Sequence, residues 1–156
     1  MSNRTEDQAR RAVLPFLQEN DCVLWDVVFE KEGAMHYLKI LFDDKDGSLD
    51  DEKCVKLTPP LNKLLDSHEF IKQVDIVEIG SPGLTRRLRH PEHFESCMNR
   101  RIRILRMTDS GKSEIKTGIL SGYNTENKSV TLDVDGELNE VLLKKCIRIT
   151  LEEQPQ

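Results

Sequence analysis

The stretch from Val77 to Phe94, VEIGSPGLTRRLRHPEHF, gathers the side chains most able to do chemistry. Arg86, Arg87 and Arg89, with His90 and His93, follow a Gly80-Ser81-Pro82-Gly83 turn, and Arg100, Arg101, Arg103 and Arg106 come soon after. Guanidinium groups offer planar paired donors that match phosphate oxygens, so the chemistry these residues support is anion or nucleic-acid binding. The charge distribution sharpens the point. The 156-residue chain has a net charge of −5, yet residues 86–106 hold seven arginines against two carboxylates, whereas residues 1–85 hold 17 acidic side chains against 10 basic ones. A chain that is acidic in bulk is repelled by nucleic acid at long range, so contact must be local and run through the arginine segment.

Each catalytic or metal motif misses a required residue. Gly111-Lys112-Ser113 matches the end of a phosphate-binding loop, but Arg106 stands where its first glycine belongs. Ser81 resembles a nucleophile-elbow serine, with Ile79 in place of the needed glycine. A calcium-loop alignment on Gly47 puts Phe42 and Lys53 at the primary ligand positions. His36, His68, His90 and His93 share no helical spacing with carboxylates. The cysteines Cys22, Cys54, Cys97 and Cys146 lie far apart without metal-ligand spacing, and buried reduced thiols are expected. Gly80 to Gly83 spells the GxxG by which KH domains grip a nucleic-acid backbone, but here it leaves a strand and Pro82 removes a donor; a sharp turn is the better account. No catalytic residue, metal or cofactor is expected.

The elements that must position the arginines follow from periodicity. Arg4 to Asn20 reads as a helix with Ala9, Ala12, Val13, Phe16 and Leu17 on one face, Thr5 as N-cap and Pro15 as a kink or register break. Val23 to Glu30 alternates through Val23, Trp25, Val27 and Phe29, and pairs through a Lys31-Glu32-Gly33 turn with Met35 to Asp43. A second helix follows Asp50-Asp51, with Val55, Leu57, Leu61, Leu64 and Leu65 on its apolar face; Pro59-Pro60 should kink or split it. Val74 to Ile79 is a third strand. Helix–strand–strand–helix–strand is an α+β layer with helices on one face of a small sheet.

After Phe94 the pattern changes to short strands at Arg101–Met107, Glu114–Tyr123, Ser129–Val134, Leu138–Leu142 and Cys146–Leu151, separated by turn residues, with one helical turn at Lys144-Lys145. This is the pattern of a small, bent barrel. Alternation puts Arg101 and Arg103 on the solvent face and Ile102 and Ile104 inward. Residues 1–84 and 96–156 are therefore expected as two domains, with a joint at 85–95. The N-terminal residues lack the apolar core of a signal peptide and no apolar run spans a membrane, so a cytosolic protein is expected.

Two charged sets are candidate sites. Arg86, Arg87, Arg89, Arg100, Arg101 and Arg103 could contact RNA phosphates, or could pair with the acidic N-terminal half and hold the joint together. Asp43, Asp44, Asp46, Asp50 and Asp51 form an acidic surface that is either solvated or docks a basic protein.

VEIGSPGLTRRL followed by HPEHF resembles the signature of the bacterial ribosome maturation factor P family (RimP). Ser81, Pro82, Gly83, Leu84, Arg86, Leu88, His93 and Phe94 match it position by position. Asp26-Val27, Glu32-Gly33, Asp43, LDDEKCVKL and Leu65-Asp66 fall into place upstream, and TGILSGYNTENKSVTLDVDGELNEVLLKKCIRITL does so downstream, with Gly118 and Gly136 in register. Gly80, Thr85, Arg87, Asn99 and Thr58-Pro59 depart from the family pattern and mark a divergent branch.

The resemblance implies a KH-like α-β-β-α-β N-terminal domain and an SH3-like (Sm-like) β-barrel, joined through Ser81, Pro82, Gly83, Leu84, His93 and Phe94. It implies a non-enzymatic, cytoplasmic assembly factor, a monomer, that binds the immature small (30S) ribosomal subunit through 16S rRNA and a basic small-subunit ribosomal protein. The aspartate set would then face that protein. A general RNA-binding or translation-regulating module of KH plus Sm-like type is the alternative.

Overall fold

The computed structural model describes residues 4–47, 49–83 and 86–152. The chain divides between Pro82 and Gly83 into two compact units.

The first unit runs α1 (Arg4–Glu19), β1 (Cys22–Glu32), β2 (Met35–Asp44), α2 (Asp51–Asp66), a 3₁₀ turn (Glu69–Gln73) and β3 (Ile76–Gly80). The sheet order is β1-β2-β3, with β1 and β2 an antiparallel hairpin and β3 parallel to β2. The central strand supplies Leu38, Ile40 and Phe42, all fully buried, because alternate residues of a strand share a face. Ala9, Val13 and Leu17 of α1 and Leu57, Leu61 and Leu65 of α2 recur every fourth residue and close over it. Each fully buried leucine or isoleucine contributes about 1.5–3 kcal/mol. The open edge of β1 is covered by α1: the buried Glu6 carboxylate accepts the Phe29 N–H at 2.8 Å, and Arg10 reaches the buried Asp26 at 3.4 Å.

Several local expectations change here. Thr5 is not a cap but lies buried within α1, which runs through Pro15. Val23 is 54% exposed, not on the apolar face. The register shifts between Leu24 and Asp26, so Trp25 is an extra, bulged residue that puts Leu24 and Val27 on the same core-facing side. Val55 is likewise 71% exposed, because it sits two residues before Leu57 and so on the far side of the helix. The α2 helix also stays continuous through Pro59-Pro60. Both prolines are exposed, so water can satisfy the carbonyls that lose their amide donors.

The second unit holds α3 (Pro91–Ser96), β4 (Arg101–Met107), β5 (Ser113–Asn124), β6 (Ser129–Val134), β7 (Glu137–Leu142), a 3₁₀ turn (Leu143–Lys145) and β8 (Cys146–Leu151). All neighbouring strands are antiparallel in the order β7-β6-β5-β4-β8. The barrel expected from the strand spacing is thus described as a five-stranded sheet; among the described residues no pairing joins β7 to β8. Ile102, Ile104, Leu120, Val130, Leu132, Ile149 and Leu151 form its buried face. The turn into β4 needs a left-handed residue, and Asn99 supplies it with φ 68° while its N–H bonds Leu120.

Candidate nucleic-acid interface

The arginine segment is built into the second unit's sheet. The Leu88 N–H donates to the Ile149 carbonyl at 2.8 Å, and the Leu151 N–H to the Arg86 carbonyl at 2.8 Å. Arg87 thereby bridges Thr150 on β8. Thr150 pairs in turn with Arg103 on β4, and Arg103 with Thr117 on β5. Residues directly opposite in a sheet point the same way, so Arg87, Thr150, Arg103 and Thr117 form one row across four chain segments. Leu88, Ile102 and Ile104 point to the other side and are buried, which fixes the arginine row outward.

The next row holds Arg148, Leu105 and Ile115. Between the rows lies a shallow groove of about 460 Å³, lined by Arg103, Leu105, Ile115, Arg148, Thr150, Leu151 and Glu152. Arg148 was not among the residues expected from sequence. Arg148 stands opposite Leu105 in the regular register that runs from Ile102–Leu151, and the register shifts only beyond it, between Leu105 and Arg106, leaving Ile147 as an extra residue.

The six expected arginines do not act as one cluster. Arg87, Arg101 and Arg103 share the outer face; Arg101 also pairs with Glu152 at 3.3 Å. Arg86 Nε donates to the Gly83 carbonyl at 3.2 Å. Arg89 precedes α3, and Arg100 is exposed just before β4. Arg106 is drawn aside by Glu114, with Nε donating at 2.6 Å. Arg103 and Arg148 are exposed and make no ion pair among the described residues.

Of the expected joint residues, Ser81, Pro82 and Gly83 follow β3 outside any helix or strand, with Gly83 at φ 79°; Leu84, with Thr85, lies outside the described residues. His93 and Phe94 are buried within the second unit. His93 Nδ1 accepts the backbone N–H groups of Arg89 at 2.8 Å and His90 at 3.2 Å, satisfying donors at the start of α3. Phe94 stacks on Tyr123 with centroids 4.8 Å apart. This helix escaped sequence reading, although Pro91 at its first turn was an available signal.

The five aspartates meet around the β2–α2 connection, where three of them fold it. Asp43 accepts the N–H groups of Asp44 and Leu49 at 2.8 and 3.1 Å, and Asp50 caps α2 by accepting the Lys53 N–H at 2.7 Å. Asp44 takes a 2.6 Å bond from Lys53, which holds its carboxyl below the usual range and raises the lysine. Asp46 and Asp51 are exposed.

Among the described residues no group of three or more His, Cys, Asp or Glu is placed to hold a metal ion. Burial pushes the Cys22 and Cys146 thiols up, which disfavours the nucleophilic thiolate. No helix among the described residues is long and apolar enough to cross a membrane.

An α-β-β-α-β unit followed by a separate antiparallel sheet with arginines on its outer face defines an α+β protein of two units. Residues 12–85 match the family model described as the RimP N-terminal domain. That match assigns residues 12–85 to the RimP family, whose role is that of a ribosome maturation factor.

Proposed function

We propose that this protein is a non-enzymatic assembly factor that binds the immature small (30S) ribosomal subunit and promotes its maturation. The first unit is read as the KH-like domain and the second as an SH3-like (Sm-like) barrel, with the boundary in the Ser81–Phe94 region. The observation that carries the reading is the outward row of Arg87 and Arg103 beside Arg101 and Arg148, on a chain whose first unit matches the RimP N-terminal domain. Guanidinium groups on sheet strands meet phosphates without a backbone-ordering cost, because the backbone is already fixed, and only the side chains lose rotamer freedom. The partners are 16S rRNA at this face and a basic small-subunit ribosomal protein at the exposed Asp46 and Asp51 of the acidic connection. The protein acts as a cytoplasmic monomer.

Co-sedimentation with small subunits, large subunits and assembled ribosomes over a salt series tests this. Binding confined to free small subunits is expected, falling with a log–log slope of roughly −3 if about four arginines reach phosphates. An Arg87/Arg101/Arg103 alanine variant should lose most of it. Tight binding to bare RNA without preference for small subunits would overturn the reading in favour of a general RNA-binding module.

A further inference from the structure

The groove on the outer face of β4, β5 and β8 has a composition that phosphate contact alone does not require. Arg103 and Arg148 stand at diagonal positions across the β4–β8 pairing, since Arg103 opposes Thr150 and Arg148 opposes Leu105. Diagonal neighbours in an antiparallel pair are about 7–8 Å apart, a spacing at which two guanidinium groups can hold successive anionic groups rather than share one. Beside them, continuing Arg148's row across β4 and β5, runs an apolar strip of Leu105 and Ile115, and Ile115 is 52% exposed. The carboxylate at the rim, Glu152, is already engaged by Arg101 at 3.3 Å.

We infer that this groove seats a single-stranded RNA segment, with backbone phosphates on Arg103 and Arg148 and an unstacked base lying on Leu105 and Ile115. The inference deepens the RNA-facing reading of the second unit and rests on it. Charge complementarity selects the occupant. The outer face carries arginines at β4 and β8, whereas Asp133, Asp135, Glu137 and Glu140 lie on β6, β7 and their turn. A basic protein would favour the acidic half, and a polyanion favours the arginine half. A duplex keeps its base faces stacked, so it could use the arginines but not the apolar strip; single strands offer both. A groove of about 460 Å³ is also within the range that accommodates small ligands of nucleotide scale.

The test is fluorescence anisotropy of the full chain with a labelled oligouridine of about 12 nucleotides over a salt series. Arg103→Gln and Arg148→Gln should each weaken binding about fivefold and reduce the log–log salt slope by roughly 0.7. Ile115→Ser should weaken binding about threefold with the slope unchanged, because it removes base contact rather than charge. Lys112→Gln, at the exposed β4–β5 turn, should match the wild type. Retained melting curves confirm that the variants fold. Binding and slope unchanged in both arginine variants would overturn the inference. If those variants nevertheless lose small-subunit co-sedimentation, the groove belongs to a protein partner, and the subunit reading survives without it. Expected oligouridine results with no small-subunit preference would keep the groove and discard the subunit reading.

Discussion

His93 Nδ1 accepts the backbone N–H of Arg89 at 2.8 Å, and His93 itself is 1% exposed. An accepting Nδ1 carries no proton, so the ring acts as a neutral clamp on the segment that delivers Arg87 to β8. His93→Leu keeps bulk but leaves two backbone donors, of Arg89 and His90, without this acceptor. The expected loss is about 2 kcal/mol, or a fall of roughly 10 °C in the melting of the second unit. His93→Asn, which retains an acceptor, should recover part of it. Calorimetry showing no shift for His93→Leu would refute the clamp.

Gly118 makes a sharper prediction. A Cβ built there would lie 2.7 Å from the Asp133 carbonyl oxygen and 2.7 Å from Leu132 Cδ2. Both neighbours belong to the adjacent strand β6, and the backbone oxygen cannot rotate away. Gly118→Ala should therefore lower stability by about 2–3 kcal/mol, as overpacking does in a close-packed core. The check is a urea midpoint that falls while the slope stays constant. Gly122→Ala, whose Cβ would meet Thr131 at 3.5 Å, should be much milder.

The Asp44–Lys53 bond gives a pH signature. Lys53 lowers the Asp44 carboxyl, so that carboxylate's stabilisation is present above its unfolded value and is lost as pH falls through the folded one. Lys53 is raised by Asp44, so its contribution is present below the unfolded lysine value and is lost in strong alkali. Lys53→Met should thus cost stability across neutral pH, with the gap to wild type narrowing below about pH 4. Urea midpoints over that range decide it. A gap that persists unchanged in acid would mean that the lysine stem's packing, not the charge pair, is what the variant removes.

What the sequence made legible follows from periodicity that no tertiary event disturbs. Arg101 and Arg103 alternate outward against buried Ile102 and Ile104, as a half-buried strand requires. The expected Arg101–Met107, Ser129–Val134 and Cys146–Leu151 spans coincide with β4, β6 and β8. Bulges are where the reading failed. A bulge inserts one residue and reverses the alternation beyond it, so Val23 looked buried. Arg148 alternates regularly with buried Ile149 and Leu151, but its place beside Leu105 depends on a pairing register that the sequence does not state. Pairing partners were also illegible: nothing local says that β3 lies parallel to β2, or that Arg86 to Leu88 would run along β8. The row that joins Arg87 to Arg103 through Thr150 exists only in the folded register. Likewise, Asp43 and Asp50 looked like free surface charge, but their oxygens are used to close the connection into α2.

Glu152 supplies the last prediction, and its sign is opposite to that of most interface substitutions. Its carboxylate pairs with Arg101 and also stands at the rim of the groove that Arg103 and Arg148 border. Both effects oppose a polyanion: one guanidinium is partly neutralised, and an approaching phosphate meets a like charge. Glu152→Gln keeps the size and removes the charge, freeing Arg101 to face the ligand. Affinity for oligouridine should rise about two- to fivefold at low salt, with a steeper salt slope because one more cation becomes available. The gain should disappear in the Arg101→Gln/Glu152→Gln double variant, since the freed cation is then gone, apart from the small residue due to lost repulsion. An affinity that falls in Glu152→Gln would show instead that the Arg101 pair is needed to hold β4 and the end of β8 in binding register, and the electrostatic account of this face would have to be abandoned.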